Sequence, residues 1–580
     1  IHRVCHCSPP AKRSRFALYR KRSLGYLVLA CGGVRSAMIS LGLLATQFWP
    51  VPSAAQTTLG EGSSVGAAGI NALSLQQAPY NLSGYKIGIG QVEIGRPGLV
   101  GFDKIAPRNR VMMPTRVFHQ DQLATPNDQV EEHSHNVAGI MISRDKALLG
   151  VAPGAQLYTT AVSPLGRSDQ PEECRATNFI ALQHGEAVRV INFSFGESLQ
   201  QDPRPNARLD GQALLTLCVD WSARVHDVTY VIAGNQGEGG IPIPTDNFNG
   251  LNVAFSRRED GLFRRVDFAN LGNELAGIAK SRVGRERNLA DRRSISLVAP
   301  GSQLELLNPD GTTTIASGTS FAAPHVTGVV ALLQEYAERR LQQMRKTVDP
   351  FWSFASRRHE VMKVILINAA DKIADPGDGR ALGMSRSIIN QRGETWLESE
   401  AYRNPLLPLD LQMGAGQVNA LRSYQLFSAG QYPLGQAIPP LGWNYASIEA
   451  TEKFQDYVFA DPLLADTFLS VSLSWDRWVD LNDPNGNGEY DIGESFSDRG
   501  LNNLDLYLMP AEATQIKDSI GSSVSTVDSI EHLFYKIPAT GRYKLRVVYQ
   551  QQVHSPEQAY GIAWWGVTSG ASPKSQETHP

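Results

Sequence analysis

The hydrophobic positions between residues 84 and 373 fall into two alternating patterns. Short, continuous apolar runs are typical of strands buried on both faces, and they predict strands at residues 87–92, 156–162, 188–194 and 228–233. Longer amphipathic stretches predict helices at residues 134–142, 178–186, 210–225, 320–334 and 360–373. This alternation predicts an α/β fold, in which a parallel sheet is covered by helices on both faces.

The pattern changes beyond residue 428. A stretch rich in proline and glycine at 429–445 is typical of a linker. Short alternating runs separated by turn residues then predict strands at residues 467–475, 503–508, 529–535, 543–549 and 559–565. We therefore predict a C-terminal β-sandwich of the jelly-roll type over residues 446–570, followed by a tail at 571–580.

The first 55 residues have the pattern of a secretory signal. A basic stretch at residues 12–22 precedes two apolar runs, and the small residues Ser53, Ala54 and Ala55 follow. Cleavage is expected before Gln56, with Met38 as an alternative start. Gly32, Gly33 and Arg35 interrupt the apolar stretch, so we expect no stable membrane span once the signal is removed. Residues 56–83, rich in small and polar residues, are predicted to be a flexible lead-in.

Composition narrows the functional classes. The 580 residues are 42% hydrophobic and 19% charged, as in ordinary globular proteins. The formal net charge of −3 offers no basic surplus for nucleic acid. Removal of the signal would leave only Cys174 and Cys218 of the five cysteines. In an exported protein these two can pair, but the sequence leaves a disulfide and two buried thiols equally open.

The segment 318–326 reads Gly-Thr-Ser-Phe-Ala-Ala-Pro-His-Val and opens an apolar helix. A serine at a helix N-terminus lies near free N–H groups and positive dipole, which suits a developing oxyanion. Pro324 is expected in the first turn of this helix. Taken alone, the pattern would indicate a helix cap and nothing more. The whole nonapeptide, however, resembles the nucleophile segment of the subtilisin-like serine proteases, a resemblance that implies Ser320 as nucleophile.

Two further segments resemble the same family. In the segment 133–139, His-Ser-His-Asn-Val-Ala-Gly, alignment on the last three residues implies His133 as the general base, with His135 where a small residue is usual. The alternative is a pair of solvated histidines at a helix start. The segment 231–237, Val-Ile-Ala-Gly-Asn-Gln-Gly, implies Asn235 as the oxyanion donor, against the alternative of a simple turn.

Other marks of the family follow in the same order, at residues 150–155, 192–196, 298–301 and 414–420. The resemblance thus covers residues 84–428, the expected catalytic domain. It implies that substrate backbone is bound by Ser194, Phe195, Gly196, Ala233 and Gly234.

The sequence departs from the family at the acid of the triad. The family has Asp where this chain has Glu93, which is followed by Ile94 and Gly95. Glu93 still supplies a carboxylate that could orient the His133 imidazole, and loss of that group could cost about 10⁴ in turnover. Asp103 or Asp121 could serve instead, or no acid at all. The sedolisins use Glu, Asp and Ser on the same fold, but His133 and Asn235 argue against that relation.

A loop in the C-terminal region fits the twelve-residue EF-hand pattern. Glycine falls at position 6, which permits the sharp turn, and an aromatic ring falls at position 8. The predicted ligands of a structural Ca²⁺ are Asp483, Asn485, Asn487, Glu489, Asp491 and Glu494. The alternative is a polar turn without metal.

The resemblance implies an exported serine endopeptidase that cleaves proteins or peptides through an acyl-enzyme. It would act in a secreted, periplasmic or cell-surface location, and we expect a monomer. The Glu93 exchange keeps open an inactive binding protein on the same scaffold. An adhesion protein that works through its β domain is a third alternative.

Overall fold

A computed structural model describes residues 63–107, 109–162, 169–234, 241–268, 288–344 and 351–569. The predicted signal at residues 1–55 and the tail at 571–580 lie outside these residues. Within the described ranges, no helix is both long enough and apolar enough to cross a bilayer.

Strands and helices alternate through the first two thirds of the chain, as predicted. The strands are β1 Gly88–Glu93, β2 Arg116–His119, β3 Gln122–Leu123, β4 Gln156–Ala161, β5 Val188–Phe193, β6 Thr229–Ala233, β7 Leu251–Glu259, β8 Leu262–Phe268, β9 Leu297–Pro300, β10 Leu304–Leu307 and β11 Thr313–Ala316. The helices are α1 Leu73–Gln76, α2 Glu132–Ile142, α3 Gln170–Ala181, α4 Gln183–Glu186, α5 Leu214–His226, α6 Thr319–Met344, α7 His359–Ala369, α8 Glu400–Arg403 and α9 Ala420–Ser428.

The large sheet has the order β3-β2-β4-β1-β5-β6-β7-β8, with β9 also paired to β7. Strands β2, β4, β1, β5, β6, β7 and β9 pair in parallel, and β3 and β8 are antiparallel edges. One hydrophobic core joins the sheet to α2, α6 and α7, and a second joins its other face to α3 and α5. The α/β fold with helices on both faces is therefore confirmed. The carboxyl ends of β1, β5 and β6 lie side by side at one edge, where ligands bind in open parallel sheets.

Two antiparallel four-stranded sheets form the C-terminal region. Their strands are β12 Leu441–Glu449, β13 Phe454–Val458, β14 Phe468–Trp475, β15 Trp478–Asn482, β16 Ser495–Gly500, β17 Asn503–Pro510, β18 Gly521–Ser523, β19 Ile530–Lys536, β20 Tyr543–Gln551 and β21 Glu557–Trp565. The orders are β12-β21-β14-β19 and β13-β20-β17-β18, and β15 pairs β16 as a separate hairpin. Alternate residues of the sheets share one core, with Leu469, Val471 and Leu473 on β14. These sheets agree with the predicted β-sandwich.

The structure differs from the predicted boundaries in three places. Residues 63–83 are not a loose lead-in, because their apolar side chains belong to the main core and Ser64 is hydrogen-bonded to His325. The buried members are Val65, Ile70, Ala72, Leu75 and Leu82. The predicted linker at 429–445 already contains the start of β12, the first strand of the sandwich and the next element after α9. The predicted helix at 178–186 begins eight residues earlier, at Gln170, and breaks before α4.

The sandwich packs directly on the α/β region through α7. The serines that alternate with the apolar residues of β14 face this helix, and Ser470 and Ser472 donate to the side-chain oxygen of Asn368 at 2.8 and 3.3 Å. At Gly561 a side chain would meet the carbonyl oxygen of Glu360 at 2.8 Å, so the two backbones approach closely. The sandwich therefore belongs to the same packed structure as the helices.

The hairpin β15–β16 covers the opposite flank. Cys174 of α3 and Cys218 of α5 form a disulfide, with Cα atoms 5.8 Å apart. Tyr490, from the loop of the hairpin, lies in one buried cluster with both cysteines and Trp221. The disulfide alternative that the sequence left open is thus the one found in the structure.

The buried ion pair Arg477–Asp220 joins the two regions, with nitrogen and oxygen 2.7 Å apart and both side chains almost fully buried. Replacing Arg477 by Ala would leave the Asp220 carboxylate buried without its ion-pair partner. We therefore expect the free energy of unfolding to fall by about 3–5 kcal/mol. The control is Arg499→Ala, which breaks an exposed pair with Asp480 and should cost about 0–1 kcal/mol. Urea denaturation followed by tryptophan fluorescence measures both, and equal effects of the two variants would contradict the prediction.

Candidate active site

Glu93 is the last residue of β1, a strand buried along its whole length between β4 and β5. Its carboxylate has no exposure to solvent. Parallel pairing on both sides fixes the end of β1, and the carbonyl oxygen of Glu93 accepts from the Val162 N–H at 2.8 Å. A carboxylate in this position needs a positive or hydrogen-bonding partner, since burial of a lone charge is costly.

The partner is at the start of α2. Glu131 caps this helix by accepting from the Ser134 N–H at 3.3 Å. The Ser134 hydroxyl donates to the carbonyl oxygen of Gly95 at 2.7 Å, and Gln91 donates to the Ser134 carbonyl oxygen at 2.9 Å. Two hydrogen bonds therefore tie the end of β1 to the first turn of α2, which carries His133.

His133 Nδ1 lies 3.5 Å from Glu93 Oε2. Burial raises the pKa of Glu93, although the imidazole opposes this shift. For His133, burial lowers the pKa, but the Glu93 carboxylate outweighs that effect and the pKa ends above the ordinary histidine value. About a third of the His133 side chain remains exposed. One side of the ring thus faces the buried acid, while part of it stays accessible from the cleft.

His135 has a different environment, which separates the two histidines. It is fully buried, its Nδ1 accepts from the Gly98 N–H at 3.2 Å, and its Nε2 lies 3.0 Å from Asn109. Burial lowers the pKa of His135 to about 4, so its ring is neutral at ordinary pH. His135 therefore packs between loops, and His133 is the histidine paired with the acid.

Neither alternative acid is free for the imidazole. Asp103 makes a two-pronged ion pair with Arg96, at 2.7 and 2.8 Å, and also accepts from backbone N–H groups. Asp121 lies beside Arg175 at 3.5 Å. Among the described residues, Glu93 is the carboxylate that contacts His133.

Ser320 is the second residue of α6, as the motif predicts, and is nearly buried. Pro324 is the sixth residue of the helix, which corrects its expected place in the first turn. Proline has no N–H to donate to the carbonyl four residues earlier, so the Ser320 carbonyl loses its partner within the helix. The Ser194 hydroxyl donates to that carbonyl oxygen at 2.9 Å instead.

Residues at the ends of strands β5 and β6 are hydrogen-bonded to the start of α6. Ser320 Oγ lies 3.1 Å from the Ser194 carbonyl oxygen, and Asn192 donates to the Ser194 hydroxyl at 2.8 Å. The Thr319 hydroxyl donates to the Gly234 carbonyl oxygen at 2.7 Å. Gly234 is the last described residue of this segment, and the predicted oxyanion donor Asn235 lies outside the described residues. The sequence analysis did not predict that Ser194 and Thr319 hold the start of α6. The signal available for Ser194 was Pro324, because a proline leaves the Ser320 carbonyl without a donor in the helix.

The imidazole and the serine helix meet at Phe321. The His133 and Phe321 rings are 5.5 Å apart between centroids, and Phe321 directly follows Ser320. At Gly301 a side chain would collide with Phe255 and with the Gly318 carbonyl oxygen, so glycine is needed where β9 meets the start of α6. The structure therefore brings Glu93, His133 and the Ser320 turn to one edge of the sheet.

The predicted substrate-binding strand continues from β5. Phe195 turns its side chain into the core, stacked on Phe193 at 4.3 Å, so only its backbone could contact a substrate. Beyond Gly196, the N–H of Glu197 donates to the Ile243 carbonyl oxygen at 2.7 Å. Ala233 and Gly234 lie at the neighbouring end of β6, where the Gly234 N–H donates to Val253. The five predicted positions thus lie on two adjacent strand ends.

The EF-like loop connects β15 to β16. The Asp483 carboxylate accepts from the N–H groups of Gly486 and Gly488, and the amides of Asn485 and Asn487 lie 2.7 and 2.9 Å from Asp491 Oδ2. Gly488, at position 6, has a φ of 77°, which supports the sharp turn. Glu494 Oε1 is buried and has no hydrogen-bond partner. The oxygen-bearing side chains of the loop are thus hydrogen-bonded within the hairpin itself.

The histidine–carboxylate pair and the helix start that contains Ser320 thus lie at the same carboxyl edge of the parallel sheet. The sequence model of the subtilase family matches residues 114–385. Over these residues, which make up less than half of the chain, the sequence is similar to the subtilase family. The match includes His133 and Ser320 but begins after Glu93.

Two relatives are 30% identical over 206 residues, which is 35% of this chain. They are M-protease from Shouchella clausii (strain KSM-K16) and subtilisin Savinase from Lederbergia lenta, and the match covers 44% and 63% of their lengths. The match thus spans less than two thirds of either relative. A solved cold-adapted subtilisin-like serine proteinase is 21% identical, with a TM-score of 0.32 over 44% of this chain and 78% of its own.

The Glu93–His133 contact predicts a measurable pKa. In the intact chain the pKa of His133 should lie above the usual 6.5, because the Glu93 charge favours imidazolium. Glu93→Gln keeps the size of the side chain but removes the charge. Burial is then opposed only by the Glu131 charge, so the pKa of His133 should fall from its value in the intact chain. NMR titration of the histidine ring protons measures the change, with the exposed neighbour Glu132→Gln as control. An unchanged titration of His133 in Glu93→Gln would show that the carboxylate does not act on it.

Proposed function

We propose that the protein is a serine endopeptidase with Ser320 as nucleophile, His133 as general base and Glu93 as the acid that orients it. The observation that carries the proposal is the 3.5 Å contact between His133 and the fully buried Glu93, beside the helix turn that contains Ser320. An ion pair with a purely structural role would not require the imidazole to be partly exposed beside the serine motif.

In this mechanism His133 takes the Ser320 proton as the hydroxyl oxygen attacks a peptide carbonyl. The imidazolium formed is stabilised by Glu93, and it then protonates the leaving amine. Negative charge on the carbonyl oxygen would be met by the Ser320 N–H at the start of α6 and by the Asn235 side chain, each such donor being worth about 3–4 kcal/mol. Water, activated by His133, releases the acyl group.

Proteins and peptides are the proposed substrates. The strand ends at 194–196 and 233–234 offer backbone groups to an extended peptide, which favours a chain over a small ester. Export is supported by the signal-like first 55 residues and by the Cys174–Cys218 disulfide, a bond typical of oxidising compartments.

Ser320→Ala should abolish both labelling by a fluorophosphonate and cleavage of an unfolded protein such as casein, because the attacking oxygen is gone. Ser317→Ala, an exposed serine three residues earlier, should leave both intact. Gel fluorescence and release of soluble peptides provide the two readouts. Labelling that survives in Ser320→Ala, or an intact chain that never labels, would overturn the proposed activity.

We also propose that the loop at 483–494 binds Ca²⁺. Its residues fit the ion: the positions 1, 3, 5, 9 and 12 carry Asp483, Asn485, Asn487, Asp491 and Glu494, and position 7 supplies a backbone carbonyl. The unpartnered Glu494 Oε1 is an oxygen for which such an ion would provide a ligand partner. Tyr490, at position 8, stacks on Phe496 at 5.4 Å, so an ordered loop would hold the hairpin against α5.

Glu494→Gln should therefore weaken Ca²⁺ binding at least about tenfold, because it removes the charged two-oxygen ligand of position 12. Glu489→Ala is the matched control, since position 7 binds through its backbone and should retain affinity. Calorimetric titration of Ca²⁺ and the calcium dependence of the melting temperature report the difference. The site is refuted if Ca²⁺ leaves both the melting temperature and the protease resistance of the full chain unchanged.

A further inference from the structure

A buried histidine lies among three carboxylates where the α/β region meets the sandwich. His359 and Glu360 are the first two residues of α7, Asp227 follows α5, and Asp476 follows β14. The side chains of His359 and Glu360 are 1% and 3% exposed, and that of Asp227 is 24% exposed. We call these four residues the His359 cluster; the mechanism proposed above does not use them.

Three ligand atoms of the cluster converge on one point. His359 Nδ1 lies 3.0 Å from Asp227 Oδ1 and 3.2 Å from Glu360 Oε2, and all three atoms are within 4.8 Å of one another. Ligands at about 2.0–2.2 Å from a tetrahedral Zn²⁺ are themselves about 3.3 Å apart. We propose that Asp227, His359 and Glu360 form a binding site for a divalent transition cation such as Zn²⁺, with water from the exposed side of Asp227 as fourth ligand.

The other ring nitrogen supports this assignment. His359 Nε2 lies 3.0 and 3.1 Å from the two carboxylate oxygens of Asp476. A proton on Nε2 then donates to Asp476 and leaves the Nδ1 lone pair for an ion. Histidines that bind metals commonly donate their second nitrogen to a carboxylate in this way, because the contact fixes the tautomer and the ring orientation.

The outer oxygens of the two carboxylates are held separately. Arg358 contacts Asp227 Oδ2 at 3.5 Å and Glu360 Oε1 at 3.1 Å, which turns Oδ1 and Oε2 toward the imidazole. Glu360 Oε2 is buried and has no hydrogen-bond partner. The His359 backbone N–H donates to Asp227 Oδ1 at 3.0 Å, so Glu360 Oε2 is the inner oxygen that a cation bound to Nδ1 would supply with a partner.

An ion at this position would join three elements. Asp227 directly follows α5, and His359 and Glu360 are the first residues of α7. Asp476, which follows β14, contacts the other nitrogen of His359. The metal would thus fasten the sandwich to the helices of the α/β region, and its removal should lower the melting temperature of the full chain.

The test is a calorimetric titration of Zn²⁺ into the chelator-treated full chain, with Ser320→Ala as background to prevent self-cleavage. One equivalent should bind and raise the melting temperature. Glu360→Gln should weaken binding at least tenfold, and Asp476→Asn, which loses only the support of the histidine, about 10–100-fold. Glu494→Gln, in the calcium loop, is the control and should leave Zn²⁺ affinity unchanged.

A second measurement avoids any dependence on folding of the variants. Co²⁺ bound to the parent chain should give the intense visible absorption of a tetrahedral nitrogen–oxygen site. The proposal is overturned if no equivalent of Zn²⁺ or Co²⁺ binds, or if folded Glu360→Gln and Asp476→Asn bind like the parent. The cluster would then hold a proton on Nδ1 and act as a buried ion pair.

Discussion

The complete burial of the Glu93 carboxylate is the constraint on which the site depends. A charge taken out of water at the end of a central strand must be compensated nearby, and among the described residues the ring of His133 provides that compensation. The same contact raises the pKa of the His133 imidazole above its ordinary value. Ser134 ties the end of β1 to the first turn of α2, where His133 Nδ1 lies 3.5 Å from Glu93 Oε2.

The serine turn is held by a second set of contacts that does not involve the acid. Pro324 deprives the Ser320 carbonyl of its helical partner, and the Ser194 hydroxyl supplies a replacement from β5. Thr319 makes the corresponding link to β6. The main chain around Ser320 is therefore fixed to both strands. In the proposed mechanism, hydrogen-bond donors fixed in advance need no reorganisation when charge develops on the substrate.

The sequence predicted what depends on local pattern and missed what depends on distant contacts. The α/β class follows from periodicity, whereas the place of Ser320 in the first turn of α6 and the pairing of Glu93 with His133 follow from the resemblance of the motifs to those of the subtilisin-like proteases. The burial of residues 63–83 could not be predicted. Small and polar residues predominate there, which is typical of a flexible segment, and nothing local indicates that the apolar side chains among them pack into the core. Equally, the serines of β14 indicate a solvated face, and only the packed α7 explains them.

This packing determines how the C-terminal sandwich should be regarded. A removable appendage would present a solvated surface to the rest of the protein. Instead, β14 presents buried serines to Asn368, and Arg477, two residues beyond β14, forms a buried ion pair with Asp220. Such polar contacts add little net stability when intact, but they are costly to break, because each broken partner stays buried and unpaired. Separating the sandwich from the helices would therefore expose apolar surface and leave several charged groups without their partners at the same time. The α/β region that carries Ser320 and the sandwich are thus best understood as one cooperative unit, in which the C-terminal strands complete the environment of α7 and α5.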